Sequence, residues 1–419
     1  MTDKSLILVL LIGVVSYSGW TAFVVATDRP VDYYTYAIAA YAFTHGIDIY
    51  ATPEEGYDPI ATRLGITVFM TPYLYPPLTA MVVWPLTLIP LHEGAAVWIF
   101  SSGLAALGAG LLLGARADSA WKKRLILIAS IGFAPTLASM YLGQVNVFVL
   151  LLTVYALRSW RRNSNAKGGG FLAAGIWLKP LAVVEVGLLV WRGRWKALAG
   201  VLAASLIVIF ASVVAFGSKV ILDQLKPYQS ILQPTVDPSV AGSSWPGNQN
   251  LFSLLSRLLT PNEFGPSLMN SPQLVLITYW ILAVAFVAGA LALLWPFGLD
   301  LRYFELEFAL LLTTTLLLSP ITQIHHLTVA FIPFALLIER QQTWKRLNWY
   351  MLLSGAAYAM MNIQTVLLQQ RVFGNLLLLD LATWAEVIIW GLLAIELPNR
   401  HRGFLIGPIS GSGLFQQLG

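Results

Sequence analysis

The sequence has no cysteine and few charged residues. The absence of cysteine from all 419 residues excludes disulfides, thiolate nucleophiles and cysteine-bound metal sites. Only 11% of the residues are charged, whereas soluble domains carry about 25%. No GxxxxGK or GxGxxG pattern occurs, which excludes the common glycine-rich phosphate-binding loops. The composition is therefore that of neither a typical soluble domain nor a disulfide-stabilised one.

Apolar and aromatic residues dominate the chain. Hydrophobic residues make up 57% and the mean hydropathy is +0.72. Runs long enough to cross a bilayer core of about 30 Å recur along nearly the whole length, and the 15 Trp and 16 Tyr can supply interfacial belts. We expect an all-α polytopic membrane protein with one membrane domain over residues 1–400. Residues 401–419, rich in Gly and Ser, are expected to form a disordered cytoplasmic tail.

The basic residues indicate topology rather than nucleic-acid binding. The net charge is +5, but Lys and Arg form no single basic face. They collect in short loops, which the positive-inside rule assigns to the cytoplasm. These loops are 116–124, 158–167, 192–196, 340–346 and 400–402.

About twelve crossings are predicted, with both termini in the cytoplasm and two long outer loops at 27–75 and 218–272. Residues 76–91 contain four prolines and are expected to dip into the outer leaflet without crossing. Residues 168–191 should form a hairpin that breaks at Lys179-Pro180, after a flexible turn at Gly168–Gly170. The remaining spans are predicted at 5–26, 93–115, two between 125 and 157, 197–217, 273–295, 304–318, 323–339, 347–366 and 380–396.

Asp32 is the first candidate for chemistry. It follows Pro30 at the start of a short helical segment in the first outer loop, where the helix dipole favours a carboxylate. A carboxylate at the mouth of a membrane domain could deprotonate a substrate hydroxyl. The alternative is that Asp28 or Asp32 only caps an interfacial helix.

The adjacent histidines His325 and His326 are the second candidate. They open a hydrophobic span on the predicted outer side, where imidazoles at a helix start can donate to a phosphate. A satisfied interfacial histidine is the alternative. A metal site is not expected, because the pair lacks the i,i+4 spacing of a helical chelate and has no acidic partner nearby in sequence.

Lys179 is the third candidate, since it is a lone cation in an otherwise apolar hairpin. An unpaired charge in a membrane is costly, so Lys179 requires an anionic partner or water. A lipid phosphate would serve. Glu185 could instead pair with Lys179 inside the protein.

Amide and tyrosine side chains suit a sugar or an acceptor. Amides both donate and accept hydrogen bonds, as sugar hydroxyls require, although Asn and Gln also cap helices and close turns. Tyrosines could stack on a sugar or simply mark the water interface. The candidates are Tyr33, Tyr75, Gln144, Asn146, Asn248 and Gln249.

Taken in order, these motifs resemble glycosyltransferase family 87, whose GT-C-type membrane enzymes include mycobacterial polyprenol-phosphate-mannose-dependent mannosyltransferases. The similarity spans about residues 28–340. The matching segments are Asp32-Tyr33-Tyr34 with Gly46 and Tyr50, Tyr75-Pro76-Pro77-Leu78, Gly143-Gln144-Val145-Asn146, Leu178-Lys179-Pro180, Asn248-Gln249-Asn250-Leu251, and Ser319-Pro320 followed by His325-His326.

The resemblance implies a plasma-membrane enzyme with a GT-C-type fold whose site faces outward. Such an enzyme transfers a sugar, with inversion and without a metal or other cofactor, from a polyprenyl-phosphate donor to a lipid or glycan acceptor. Asp32 would be the general base, and His325, His326 and Lys179 would hold the donor phosphate. Ile321-Thr322-Gln323-Ile324 stands where the family often has Ser-Trp, and Asn250 stands where Ser often follows Asn-Gln. These departures bear on the substrate more than on the reaction.

Three other functions stay open at this point. A transporter would also have about twelve spans, broken helices and a buried lysine, but no internal repeat relates the two halves of this sequence, and its polar candidates gather toward one surface. A polymerase or ligase of lipid-linked oligosaccharides would use the same lipids, with a large basic outer loop. A non-catalytic membrane scaffold is the third.

Overall fold

A computed structural model describes residues 4–50, 58–66, 73–219, 221–223, 228–229, 244–295, 303–341, 349–370 and 380–397. Over these residues the protein is helical, and extended pairing is limited to two isolated bridges, Asn248 with Gln323 and Asn262 with Gly265. The predicted tail, 401–419, and residues 230–243 of the second long loop lie outside the described residues.

The first half of the chain forms eleven labelled helices. Several are short, because prolines and glycines interrupt the apolar runs. They are α1 (Lys4–Ala26), α2 (Val31–Thr44), α3 (Asp58–Arg63), α4 (Pro77–Val83), α5 (Leu91–Gly114), α6 (Ala120–Ile131), α7 (Ala134–Leu142), α8 (Asn146–Arg161), α9 (Asn165–Leu178), α10 (Glu185–Trp191) and α11 (Trp195–Phe216).

In its described part, the second half contributes six labelled helices and one long 3₁₀ segment, Ile324–Ala330, that leads directly into a helix. The helices are α12 (Leu251–Leu259), α13 (Pro272–Leu294), α14 (Phe304–Leu318), α15 (Phe331–Arg340), α16 (Trp349–Gln369) and α17 (Leu381–Glu396).

Six helical stretches in the described part are long and apolar enough to cross a membrane: α1, α5, α6 with α7, α11, α13 and α16. Large apolar side chains on α11 and α13 are exposed, as Phe210 and Ile281 illustrate, which fits helices that face lipid. The other predicted spans are shorter or broken helices, such as α8, α9 and α14. The all-helical fold is confirmed over the described residues, with six candidate membrane spans, and the count of twelve crossings stays a prediction.

The proline-rich segment 76–91 forms two short pieces. Helix α4 passes at Trp84 into a 3₁₀ segment that ends at Leu88. Seven α-helical and five 3₁₀ residues together rise about 20 Å, less than the roughly 30 Å of a bilayer core. The two pieces are too short to span a bilayer core on their own, and the membrane position of 76–91 stays a prediction.

The chain reverses at Lys179, as predicted. Helix α9 ends at Leu178, and Pro180 begins a 3₁₀ turn. Because α9 and α11 lie side by side in parallel, with Gly169 against Ala197 at one end, the intervening segment must return past α9. The predicted flexible turn at Gly168–Gly170 is wrong, since these residues lie inside α9. A Cβ at Gly169 would come 1.9 Å from the Ala197 carbonyl oxygen, so glycine here permits close helix packing.

The predicted span 323–339 is not one continuous helix. Gln323 caps the 3₁₀ segment Ile324–Ala330, and only Phe331–Arg340 is α-helical. Pro333 lies in the first turn of α15, where a missing N–H costs little. The two histidines thus lie on a tight 3₁₀ turn rather than on an α-helix.

Basic loops that are far apart in sequence meet at one end of the molecule. Arg116 and Arg161 both bind Glu305 and Glu339, with 3.0 Å from Arg116 Nε to Glu339 Oε2 and 2.9 Å from Arg161 Nη2 to Glu339 Oε1. Arg192 reaches this end as well. The opposite ends of α8 and α14 carry Asn146 and Ser319, which border the candidate site.

Candidate functional site

Asp32 lies in the first turn of α2 and is buried, with 7% of its surface exposed. The residue that caps this helix is Pro30, and no side chain makes a capping hydrogen bond. Asp28 instead accepts a 2.8 Å hydrogen bond from the Tyr34 hydroxyl. The alternative in which Asp32 is only a helix cap therefore does not describe the structure.

Gln144 connects Asp32 to a cation. Its Nε2 donates to Asp32 Oδ2 over 2.7 Å, and its Oε1 accepts from Lys179 Nζ over 3.2 Å. Since a carboxylate only accepts and an ammonium only donates, this orientation of the amide satisfies both. The Tyr36 and Tyr75 hydroxyls also donate to Oε1, over 3.1 and 2.7 Å. Residues from four separate segments thus form one buried network.

Gly143 fixes Gln144 against the start of α2. It ends α7 in the left-handed conformation at φ +74°, which favours glycine. A Cβ here would lie 2.7 Å from Tyr33 Cβ, so a side chain would push α2 away. The Trp98 indole N–H donates to the Gly143 carbonyl over 2.8 Å. The turn therefore sets the distance between Gln144 and Asp32.

Tyr75 is held from both sides. The Tyr50 hydroxyl donates to its carbonyl over 2.8 Å, and Lys179 Nζ lies 5.0 Å from its ring centroid, within cation–π range. Burial raises the pKa of Tyr75, and the charge of Asp32 adds to that effect. The phenol therefore remains a donor throughout the physiological pH range.

Lys179 has its partners in this network rather than in Glu185. The Thr79 hydroxyl donates to the Leu178 carbonyl over 2.9 Å and so anchors the break that presents Lys179. Both carboxyl oxygens of Glu185 are buried, and neither has a hydrogen-bond partner in the described part of the chain. The predicted alternative pairing of Lys179 with Glu185 is absent.

The two histidines lie on the 3₁₀ segment with their rings 4.6 Å apart and nearly perpendicular. The Gln323 backbone N–H donates to His326 Nδ1 over 3.3 Å, so Nε2 carries the hydrogen in the neutral ring. Asn146 Nδ2 donates to the His325 carbonyl over 3.0 Å. Asn146 thus supports the turn that holds the histidines.

A cavity of about 330 Å³ brings three of the candidate segments together. Lys179 and Tyr75 form one side, and His325 and His326 form another. Mostly apolar groups line the rest, including Leu181 and Leu316. A cavity with one cation, two imidazoles and an apolar wall fits a phosphate attached to a hydrocarbon chain. Asp32 is not among the residues that line this cavity, and Gln144 connects it to Lys179, which does line it.

The amides of the second long loop hold the histidine segment. Asn248 Oδ1 accepts from the Thr322 N–H over 2.8 Å, and the Gln249 N–H donates to the Thr322 carbonyl over 2.6 Å. Asn250 Oδ1 caps α12 by accepting from the Ser253 N–H over 2.8 Å. These contacts give Asn248 and Gln249 a supporting position, and neither is among the residues that line the cavity.

Tyr33 and Tyr36 differ from expectation in opposite ways. Tyr33 packs against Trp98 and Gly94, away from the cavity, and its hydroxyl has no hydrogen-bond partner in the described ranges. Tyr36 was missed from the sequence although it binds Gln144. Its spacing of four residues from Asp32 places both on one helix face, which is the signal that would have found it.

A buried ion pair supports the second loop. Arg257 and Asp380 are completely buried, and Arg257 Nε donates to Asp380 Oδ2 over 3.1 Å. Arg257 also donates to the carbonyls of Trp245 and Asn248, over 2.9 and 3.1 Å. The pair joins α12 and the amide loop to the start of α17.

Among the described residues, no group of three or more His, Cys, Asp or Glu side chains is arranged to hold a metal ion.

Comparison with known sequences points to a transferase. The sequence model described as "Glycosyltransferase family 87" matches residues 73–320, more than half of the chain. A protein of Mycobacterium tuberculosis (strain CDC 1551 / Oshkosh) is 23% identical over 407 residues, which cover 87% of this chain and 86% of that protein. It is named "Polyprenol-phosphate-mannose-dependent alpha-(1-2)-phosphatidylinositol pentamannoside mannosyltransferase".

Proposed function

The chain belongs to glycosyltransferase family 87, and we propose that it transfers a sugar from a polyprenyl-phosphate donor to a lipid or glycan acceptor. The observation that carries the proposal is the network in which Gln144 links Asp32 to Lys179 beside the histidine-lined cavity. The transporter hypothesis is not retained, because the family is one of transferases.

In the proposed reaction the donor phosphate lies in the cavity, near Lys179 and one of the histidines. The polyprenyl chain extends along the apolar wall that includes Leu181 and Leu316. Cationic and N–H donors preorganised around the phosphate stabilise the charge that develops as it departs. Because a phosphate is already a good leaving group, the scheme needs neither a general acid nor a metal.

Asp32 acts as the general base. As the acceptor oxygen attacks the anomeric carbon, the acceptor proton passes to Asp32 and the bond from that carbon to the phosphate oxygen breaks. Attack from the face opposite the phosphate inverts the anomeric centre. The scheme uses one carboxylate, unlike the two of typical glycosidases. Gln144 orients Asp32 and keeps the carboxylate separate from Lys179.

The site is proposed to face the outside of the plasma membrane. Arg116, Arg161 and Arg192, which the positive-inside rule assigns to the cytoplasm, lie at the end of α8 and α14 remote from the cavity. An outward site gives access to envelope lipids and glycans. The name of the mycobacterial relative supports a lipid-linked sugar donor, with mannose as the first sugar to test and a glycolipid as the first acceptor.

The test is transfer of mannose from a polyprenyl-phosphate donor by the purified protein in lipid nanodiscs. Asp32→Asn should lower kcat by about 10²–10⁴-fold, the contribution of a general base. The fold should survive, because the Asn oxygen can still accept from Gln144. Asp28→Asn, which alters a partly exposed acid in the same loop, is the matched control. Unchanged transfer by Asp32→Asn would remove Asp32 as the base.

A further inference from the structure

A second cavity of about 490 Å³ lies at the end of the molecule remote from the catalytic network. Helix α8 connects the two regions, since Asn146 at its start contacts the histidine turn and Arg161 at its end lines the second cavity. Sixteen helical residues separate these ends by about 24 Å. A small ligand in one cavity therefore does not reach the other.

Arginine dominates the charge of this cavity. Its lining includes three arginines, Arg161, Arg194 and Arg340, and one carboxylate, Glu305. Three positive charges therefore face one negative charge. Glu305 and the neighbouring Glu339 are shared between Arg116 and Arg161. Neither carboxylate pairs with Arg194.

Arg194 is the least compensated of these cations. It is buried, with 7% exposed, and it makes no salt bridge within the described residues. Its Nη1 atom is buried without a hydrogen-bond partner in the same part of the chain. Its guanidinium carbon lies 3.9 Å from the centroid of the Phe304 ring and 5.8 Å from that of Trp160.

Such an arginine is costly unless an anion compensates it. A buried donor that has lost water without gaining a partner destabilises a protein, and cation–π contacts recover only part of that loss. Burial also lowers the pKa of Arg194, although the charges of Glu305 and Glu307 raise it in part. The stacking on Phe304 and Trp160 holds the guanidinium plane in place, as a built anion site requires.

We propose that this cavity binds a phosphate group, on a face that the positive-inside rule assigns to the cytoplasm. Guanidinium forks match phosphate oxygens in pairs, and a phosphate oxygen could accept from the unpartnered Nη1 of Arg194. The volume lies within the usual range of about 300–1,000 Å³ for ligand sites. The phosphate could belong to a lipid headgroup or to a water-soluble compound, since the chemistry that binds it is the same.

Thermal unfolding of the full chain in nanodiscs distinguishes the two sources. In one arm, inorganic phosphate is titrated into protein held in phosphatidylcholine nanodiscs, at constant ionic strength because salt screens exposed charges. In the other arm, nanodiscs containing phosphatidic acid replace those of phosphatidylcholine alone. A ligand that binds the folded state raises the melting temperature. We expect a rise in at least one arm, and the arm that responds identifies the source.

Arg194→Gln should weaken the responding interaction by at least about tenfold, the effect of losing a charge-assisted pair. Lys196→Gln, an exposed residue two positions away, removes the same charge and should leave the response unchanged. If Arg194→Gln does not fold, Asn163→Asp at the exposed rim replaces it, with Ser164→Asp as its control.

The catalytic cavity could also bind phosphate, so Lys179→Met is measured in parallel. A response that survives Lys179→Met and disappears in Arg194→Gln supports the second site. A response that disappears only in Lys179→Met overturns it, as does the absence of a response in both arms. Neither result depends on sugar transfer, so the outcome is independent of the proposed function.

Discussion

The amide of Gln144 lies between a carboxylate and an ammonium, with its Nε2 2.7 Å from Asp32 Oδ2 and its Oε1 3.2 Å from Lys179 Nζ. A direct ion pair between Asp32 and Lys179 would hold the carboxylate in place but weaken it as a base, because a contacting cation stabilises the charged form. The intervening amide positions both charges. It leaves the Asp32 carboxylate available as the base and the Lys179 ammonium available to bind the donor phosphate.

Gln144→Met should therefore lower kcat while the protein remains folded. Methionine has a similar size but neither donates to Asp32 nor accepts from Lys179. We expect a loss of about 10-fold or more, since misplacing a catalytic group slightly can cost up to about 10²-fold. The same transfer kinetics are measured for the double variant that combines Gln144→Met with Asp32→Asn. It should be no slower than Asp32→Asn alone, because the two residues act as a unit. Fully additive losses would contradict a positioning role.

Lys179→Met should raise KM for the polyprenyl-phosphate donor by about 10–100-fold, because a charge-assisted hydrogen bond is worth about 1.5–3 kcal/mol. Glu185→Gln is the matched control. Because Glu185 makes no hydrogen bond to Lys179, its replacement should change the donor KM by less than about twofold. If the two substitutions changed the donor KM equally in donor titrations, Glu185 would also belong to the site.

Substitutions at His326 that each replace one ring nitrogen can show which of the two histidines binds the phosphate. Asn keeps an acceptor near the Nδ1 position, which binds the Gln323 N–H, whereas Gln keeps a donor near Nε2. If Nε2 binds the phosphate, His326→Asn should raise the donor KM by about tenfold and His326→Gln by less. The reverse order would limit His326 to stabilising the turn and assign the phosphate to His325.

The Arg257–Asp380 pair should be essential for stability. Arg257→Met leaves a carboxylate buried without its cation, and breaking such a pair costs about 3–5 kcal/mol. The double variant Arg257→Met with Asp380→Leu should be more stable than Arg257→Met alone. The free energy of unfolding in detergent measures the stability of both variants. The exposed His92–Asp28 pair is the contrast, since His92→Gln should cost less than about 1 kcal/mol.

Membrane sidedness can be measured directly because the natural chain has no cysteine. In intact cells, a cysteine introduced at Asn163 should react with a membrane-impermeant maleimide only after the membrane is opened. A cysteine introduced at His45, exposed at the end of α2, should react from outside. The opposite pattern would overturn the proposed orientation.

The sequence predicted much of the helical framework, because a long apolar run predicts a helix with few other signals. The bounds of α5, α11 and α13 agree with prediction to within about two residues. The reversal at Lys179 followed from the conformational limits that Pro180 imposes. The sequence did not show that the predicted span over 323–339 begins as a 3₁₀ segment, because average hydropathy does not distinguish an α-helix from a 3₁₀ segment.

The connections between side chains were not predictable in the same way. Gln144 and Asp32 are 112 residues apart, and Arg257 and Asp380 are 123 residues apart. Neither periodicity nor spacing relates such positions. The amides of Asn248 and Gln249 were assigned to substrate from their chemistry, although the same chemistry suits their hydrogen bonds to Thr322. Only the fold shows which groups already bind each other.

The position of the break at Lys179 has a consequence for the bilayer. Helix α9 has 14 residues before the break and rises about 21 Å, roughly 9 Å less than the hydrocarbon thickness of a typical membrane. In the proposed orientation, a donor phosphate that reaches Lys179 therefore descends below the level of the lipid headgroups. The rate of transfer should then depend on the acyl-chain length of the surrounding lipids and increase in thinner membranes.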